Sequence, residues 1–257
     1  MVVRIGLLAG FLLGSAIAVE AQVSCGQILQ GGTLTEPRTH TLTRSLMCAS
    51  ERGVIMRQSH TILDCRGYSI RRTGAQLGIG ILMGGGLRRS TRQWVLNCGT
   101  SGWDVGLQNT NSDVTLIERQ SGTTSFAGNG VGIYVANTTF TTLLGVAAPG
   151  NDDKGIYFKN TYRPGIVNSS ANSNGDSGIF LVNATEPLLI NSEARRNNDP
   201  DLVLTGTVSA LATHHGFIRG GIYDSIFFAN GAHDNHWCGT THGAIYGAGP
   251  TNFPWCP

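Results

Sequence analysis

Gly132-Ile133-Tyr134-Val135, Gly155-Ile156-Tyr157-Phe158 and Gly178-Ile179-Phe180-Leu181 are versions of one phrase repeated every 23 residues. Earlier copies are Gly53-Val54-Ile55-Met56, Gly80-Ile81-Leu82-Met83 and Gly106-Leu107-Gln108-Asn109; later ones are Asp201-Leu202-Val203-Leu204 and Ser225-Ile226-Phe227-Phe228. The anchors step by 27, 26, 26, 23, 23, 23 and 24 residues. Such a period, with short strands and turn residues between, is that of a β-solenoid. In each phrase the residue after the anchor and the residue two further on point inward, and the one between points out. One unit cannot bury its apolar side alone. Stacking coils about 4.8 Å apart completes a core and pairs the backbones.

The turn residues fit this reading. The anchor glycines suit corners where a side chain is hindered or a positive φ is required. Asparagines recur five residues after the anchor (Asn137, Asn160, Asn183, Asn230) and four before it (Asn151, Asn174, Asn197). Stacking turns each series into a ladder of mutually bonded carboxamides. A second strand per coil is visible in Thr61–Cys65, Gln93–Cys98 and Asp113–Leu116.

Residues 1–21 read as a secretory signal: Arg4, an apolar run from Ile5 to Ala18, and small residues before Gln22. Residues 22–52 are expected to hold an N-terminal cap and first strands, 53–236 the solenoid, and 237–257 a disulfide-tied cap. Glycine is abundant (36 residues), charge is sparse and the net charge is +2. That favours strands and turns over helices and gives no case for nucleic acid or acidic membranes. The remaining chain is expected to be free of the membrane after cleavage. Cys25, Cys48, Cys65, Cys98, Cys238 and Cys256 form an even set behind a signal, which points to disulfides and a secreted, extracellular or periplasmic location. Local pairing gives Cys25–Cys48 and Cys238–Cys256 as the simplest arrangement.

Cys25-Gly26, Leu46-Met47-Cys48, Thr61–Ile70 and the Asn-x-x-x-Gly-Ile coils resemble secreted right-handed parallel β-helix proteins of the pectin-lyase-like superfamily. The resemblance spans roughly residues 25 to 238 and implies an all-β right-handed parallel β-helix. The superfamily holds uronate lyases and epimerases, polygalacturonases, tailspikes, adhesins and metal-delivery proteins, so the resemblance does not fix chemistry. The polygalacturonase pattern fails: Gly150-Asn151-Asp152-Asp153 matches one motif, but Asn109-Thr110-Asn111 and His214-His215-Gly216 depart from two others.

Two columns carry candidate chemistry. Two residues before the anchor stand Asp104, Gly130, Asp153, Asp176 and Asp199. Stacked carboxylates need an offsetting cation. Asp152, Asp153 and Asp176 are hard oxygen donors suited to Ca²⁺, while Lys154, Arg195 and Arg196 offer the charge instead. On uronate glycans, neutralising the sugar carboxylate acidifies the C5 proton and a base removes it. Asp153, Asp176, Asp199, Arg195 and Arg196 are therefore the candidate catalytic set; the competing reading is aspartate turn chemistry. Tyr134, Tyr157 and Phe180, with Lys154, form a candidate platform for a polysaccharide, or merely stabilise the sheet. The expected function is a polysaccharide-active lyase or C5-epimerase. The alternatives are a non-catalytic glycan-binding or structural β-helix, and a metal-handling protein using His214, His215, His233, His236 and His242. Asn137, Asn168 and Asn183 fit the glycosylation sequon; ladder membership predicts burial for Asn137 and Asn183.

Overall fold

The structure is a computed structural model and describes residues 22–86, 89–120, 125–213, 216–218, 226–229, 231–238, 241–242 and 245–246. It is an all-β parallel solenoid. The anchor strands Arg52–Met56, Ile79–Gly84, Val105–Thr110, Val131–Ala136, Ile156–Tyr162, Ile179–Thr185 and Leu202–Thr205 pair in parallel, coil upon coil, to form a first face. Thr61–Asp64, Gln93–Leu96, Ser112–Glu118, Thr139–Leu144, Gly165–Val167 and Leu188–Ile190 form a second face. A third face includes Ser69–Arg72, Gly99–Ser101, Ser170–Asn172 and Glu193–Arg195.

Each face sends one stripe of side chains inward. Val54, Ile81, Leu107, Ile133, Ile156 and Ile179 are fully buried, as are Met56, Met83, Val135, Phe158 and Leu181 two residues on. Asn109 breaks the second stripe. It is buried, but it donates to Thr115 Oγ1 (2.9 Å) and accepts from Ser112 Oγ, so its polar atoms are satisfied at little cost. Among the outward residues, Ile55, Leu82 and Val203 are nonetheless covered.

The anchor glycines act through space rather than through φ. None of Gly53, Gly80, Gly106, Gly132, Gly155 and Gly178 has a positive φ. A Cβ on Gly132 would lie 2.6 Å from the carbonyl oxygen of Gly155 and 2.7 Å from Asn151 Nδ2. One on Gly155 or Gly178 would lie 2.7 or 2.5 Å from the carboxamide of Asn174 or Asn197. The glycines therefore make room for a buried ladder. Asn151 Nδ2 donates to Asn174 Oδ1 and Asn174 Nδ2 to Asn197 Oδ1, both at 3.0 Å. The backbone amides of Asn129, Asn151 and Asn174 donate to the next carboxamide oxygen at 2.9–3.0 Å.

The left-handed conformation belongs to the corners. Four columns of positive-φ residues run along the axis. One holds Gly85, Asn111, Asn137, Asn160, Asn183 and Gly206; a second holds Asn97, Gly145, Asn168 and Asn191; a third holds Gly102, Gly128, Gly150, Ser173 and Arg196. Glycine and asparagine avoid most of the roughly 1–2 kcal/mol that this conformation costs other residues. The fourth, which opens the second face, runs His60, Arg92, Val114, Phe140, Arg163, Glu186, Ser209 and Asp234.

The series after the anchor also forms a ladder, with Asn183 Nδ2 on Asn160 Oδ1 (3.0 Å) and Asn160 Nδ2 on Asn137 Oδ1 (3.2 Å). It lies on the surface, so the burial expected for Asn137 and Asn183 is corrected: both are exposed. In this column the left-handed residues Asn137, Asn160 and Asn183 point outward, whereas the ladder before the anchor points into the core. The strands within residues 22–52 pair in parallel with the coil that follows. Gln27–Ile28 pairs with Val54 and Ile55, Arg38–Thr41 with Thr61–Asp64, and Leu46–Cys48 with Ile70–Arg72. At the other end, pairing continues past 236, with Ile226 beside Ile245. Disulfides join Cys25 to Cys48 and Cys65 to Cys98; the expected Cys238–Cys256 bond lies outside the described residues.

The buried ladder ends on a charge. Asp201 stands where the repeat has glycine, is 3 % exposed, and accepts from Asn197 Nδ2 at 2.7 Å. Burial pushes its carboxyl up to about 6, against the opposing hydrogen bonds from Asn197. A carboxyl raised in the folded state holds its proton more tightly there, so its stabilisation is complete below about pH 4 and is lost as pH rises through about 6. Asp201→Asn should raise stability at pH 7.5 by about 1–3 kcal/mol and have little effect at pH 4, as measured by urea denaturation at both pH values.

Candidate functional site

The candidate site grows from a turn that the ladder asparagines begin: Asn151-Asp152-Asp153-Lys154-Gly155, Asn174-Gly175-Asp176-Ser177-Gly178 and Asn197-Asn198-Asp199-Pro200-Asp201. The asparagine is pinned in the core and the anchor starts the next strand, so the central aspartate is placed at the surface at the same point of each coil. The Asp176 amide donates to the Asp153 carbonyl at 3.1 Å, and the Asp199 amide to that of Asp176 at 3.5 Å. The aspartate column therefore exists. Asp104, lower in the same column, accepts from the Gly78 amide at 2.9 Å and serves the turn.

Lys154 supplies the offsetting charge. Its ammonium bonds Asp153 Oδ1 at 2.9 Å and also Asp176 Oδ2. The lysine side chain is only 14 % exposed, and its Nζ lies 5.1 Å from the Phe180 ring and 5.9 Å from the Tyr157 ring. Burial alone would lower its pKa, but the two carboxylates outweigh that and raise it. Burial likewise opposes ionisation of Asp176, yet the Lys154 contact and neighbouring carboxyl hydrogen bonds hold it down at about 2. Asp199 moves the opposite way, pushed up by burial and by the negative Asp176. Adjacent carboxyls with divergent proton affinities are the inventory of acid–base chemistry.

The aromatic column stands beside this cluster on the outward side of the first face. Ring centroids of Tyr134 and Tyr157 are 5.1 Å apart, and those of Tyr157 and Phe180 are 5.3 Å apart, the latter edge to face. Burial and the neighbouring Tyr134 raise the Tyr157 hydroxyl pKa, with Lys154 opposing. The next outward residue, Val203, is covered, and it separates the column from Phe227.

Both arginines proposed with the aspartates sit elsewhere. Arg195 lies on the third face and pairs with Glu193 at 3.1 Å, beside a hollow of about 300 Å³ also lined by Asn168, Ser170 and Asn191. Arg196 is exposed at a left-handed corner with φ 58°. Among the described residues neither makes an ion pair with Asp153, Asp176 or Asp199. Asp152 is exposed and separate from the Lys154 contacts. As the cluster stands, an ammonium rather than an open oxygen cage lies between Asp153 and Asp176. Among the described residues, no three His, Cys, Asp or Glu side chains converge to hold a metal. His233 bonds Asp234 at 2.9 Å; His214 and His215, and the side chains of His236 and His242, lie outside the described residues. Sequence reasoning missed Ser177, whose hydroxyl donates to Asp176 Oδ1 at 3.0 Å; its position directly after the column aspartate was the available signal.

Lys154→Met leaves the stacked carboxylates unpaired. It should lower stability at pH 7 by about 1–2 kcal/mol, after allowance for solvent screening. The loss should shrink toward pH 3 as the aspartates take up protons. Thermal melts of both proteins across that range measure it.

No protein-family model and no curated protein matches the chain. Solved structures do. The A-module of the mannuronan C-5 epimerase AlgE6 from Azotobacter vinelandii is 11 % identical with a TM-score of 0.51, over 84 % of this chain and 78 % of that one. The periplasmic alginate epimerase AlgG, solved as a double mutant, is 10 % identical with a TM-score of 0.58, over 86 % of this chain and 65 % of its own. ORF18 of Geobacillus virus E2 is 11 % identical with a TM-score of 0.63; the likeness covers 90 % of this chain but 54 % of that one. At such identities the likeness is one of fold: this chain is a right-handed parallel β-helix.

Proposed function

We propose that the protein is a secreted polysaccharide-active β-helix whose substrate lies over Tyr134, Tyr157 and Phe180, and that it acts on uronate-containing glycans as a lyase or C5-epimerase. The observation that carries the reading is the juxtaposition of a three-ring column with the Asp153–Lys154–Asp176–Asp199 cluster. Sugar rings present apolar C–H faces that suit aromatic rings. Lys154 is the cation that meets the sugar carboxylate, leaving Asp176 as it does so. Asp176 then takes the C5 proton, and the Tyr157 hydroxyl gives a proton either to the C4 oxygen as the C4–O bond breaks, the lyase outcome, or to the opposite face of C5, the epimerase outcome. Asp199, pushed up by burial and by Asp176, adjoins them. Two fold neighbours are named as C-5 or alginate epimerases, which supports the substrate class. The disulfides support an oxidising compartment. No step is assigned to Ca²⁺, because Lys154 fills the space between Asp153 and Asp176.

A second reading, non-catalytic glycan binding, is favoured by the mutual satisfaction of Lys154, Asp153 and Asp176. The test incubates the oxidised protein with mannuronan and polygalacturonate in deuterated water, with and without Ca²⁺. It follows the absorbance of unsaturated product and deuterium at C5. The proposal predicts one of these signals, and a loss of about 100-fold or more in Asp176→Asn. Neither signal on either glycan would leave only the binding reading.

A further inference from the structure

The corner that opens the second face breaks the rule the other corners keep. Its left-handed positions, with φ between 50° and 57°, hold His60, Arg92, Val114, Phe140, Arg163, Glu186, Ser209 and Asp234, and no glycine or asparagine. A β-branched valine and a bulky phenylalanine are among the residues least suited to that conformation. Core packing does not account for them: Val114 is 47 % and Phe140 45 % exposed. Side chains held against the backbone's preference, and pointing to solvent, indicate a demand from outside the fold.

The column is in register from coil to coil, with Asp113 beside Thr139, Thr139 beside Tyr162 and Tyr162 beside Thr185. The Phe140 ring meets the Tyr162 ring edge-on at 5.9 Å, and Tyr162 is itself 37 % exposed. The Arg163 guanidinium lies 5.0 Å from the Tyr162 ring and pairs with Glu186 at 2.6 Å. Arg89 pairs with Asp113 at 2.6 Å, and Arg92 has no ion pair among the described residues.

We infer that this corner is a second glycan-contact strip, separate from the Lys154 cluster. Val114, Phe140 and Tyr162 meet the apolar faces of sugar rings, and Arg92 meets a carboxylate of an acidic polysaccharide lying along the axis. The inference rests on the proposed polysaccharide-active reading but not on its chemistry. Charge complementarity selects the occupant: of the three arginines at the strip, Arg89 and Arg163 are paired with Asp113 and Glu186, and Arg92, with no ion pair among the described residues, is the cation left to meet an anion. The stripe is narrow and crossed by ion pairs, unlike the broad apolar patch a protein partner requires.

Affinity electrophoresis through gels containing mannuronan or polygalacturonate, with dextran as the neutral control, tests it. Phe140→Ser is the key variant, because serine already occupies the same column at Ser209, so folding is spared; Arg92→Ser removes the cation. The expected result is retardation of the wild type in the acidic gels only. Each variant should bind roughly fivefold or more weakly, with a melting temperature no lower than wild type for Phe140→Ser. Variants retarded as strongly as wild type would overturn the strip and leave the polysaccharide reading intact. Equal retardation in dextran would overturn the acidic occupant. A wild type retarded in no gel would overturn both.

Discussion

A buried carboxamide ladder packed against a column of glycines is the constraint on which the rest of the structure depends. Every coil must bury polar backbone at the turn leading into the first face, and buried polar groups are costly unless bonded. Asn129, Asn151, Asn174 and Asn197 satisfy that demand by bonding the coil beneath. They fit only because Gly106, Gly132, Gly155 and Gly178 carry no Cβ. Asparagine and glycine are thus one device, and the device sets where each turn sits. Because Asp153 and Asp176 follow their asparagines by two residues, the ladder also sets the spacing of the carboxylates that Lys154 bridges.

The corners obey a different constraint. Each needs a left-handed residue once per coil, and three of the corner columns meet that need mostly with asparagine or glycine. Surface asparagines then bond along the axis as well. The inward and outward ladders look alike as letters in the sequence but answer to unlike physics, one to desolvation and the other to backbone φ.

The period and alternation of Val54, Ile81, Leu107, Ile133, Ile156 and Ile179 made the solenoid legible without coordinates, because a coil's inward stripe is a local pattern. The aspartate column and the Tyr134–Tyr157–Phe180 column were legible for the same reason: equal offsets from the anchor become neighbours on stacking. What was not legible is anything that depends on where a long side chain reaches. Lys154, Arg195 and Arg196 share a turn region by numbering, yet only Lys154 reaches the aspartates, since Arg195 leaves from the third face toward Glu193. Asp201 as the ladder's end, and the non-glycine left-handed corner, were hidden too. Charged and bulky residues give no sequence signal for a positive φ, and an aspartate in a glycine's place reads as a lapse in the repeat.

The architecture and the site are joined by one claim: the buried ladder holds the surface cluster in place. Hydrogen exchange of Asn174→Ala beside the wild type tests it most directly. The account predicts exchange faster by about tenfold or more at the amides of Asn151, Asp176 and Asp199, with the second-face strand Gly165–Val167 little changed. Faster exchange at Asn151 alone, with the amides of Asp176 and Asp199 as protected as before, would contradict it.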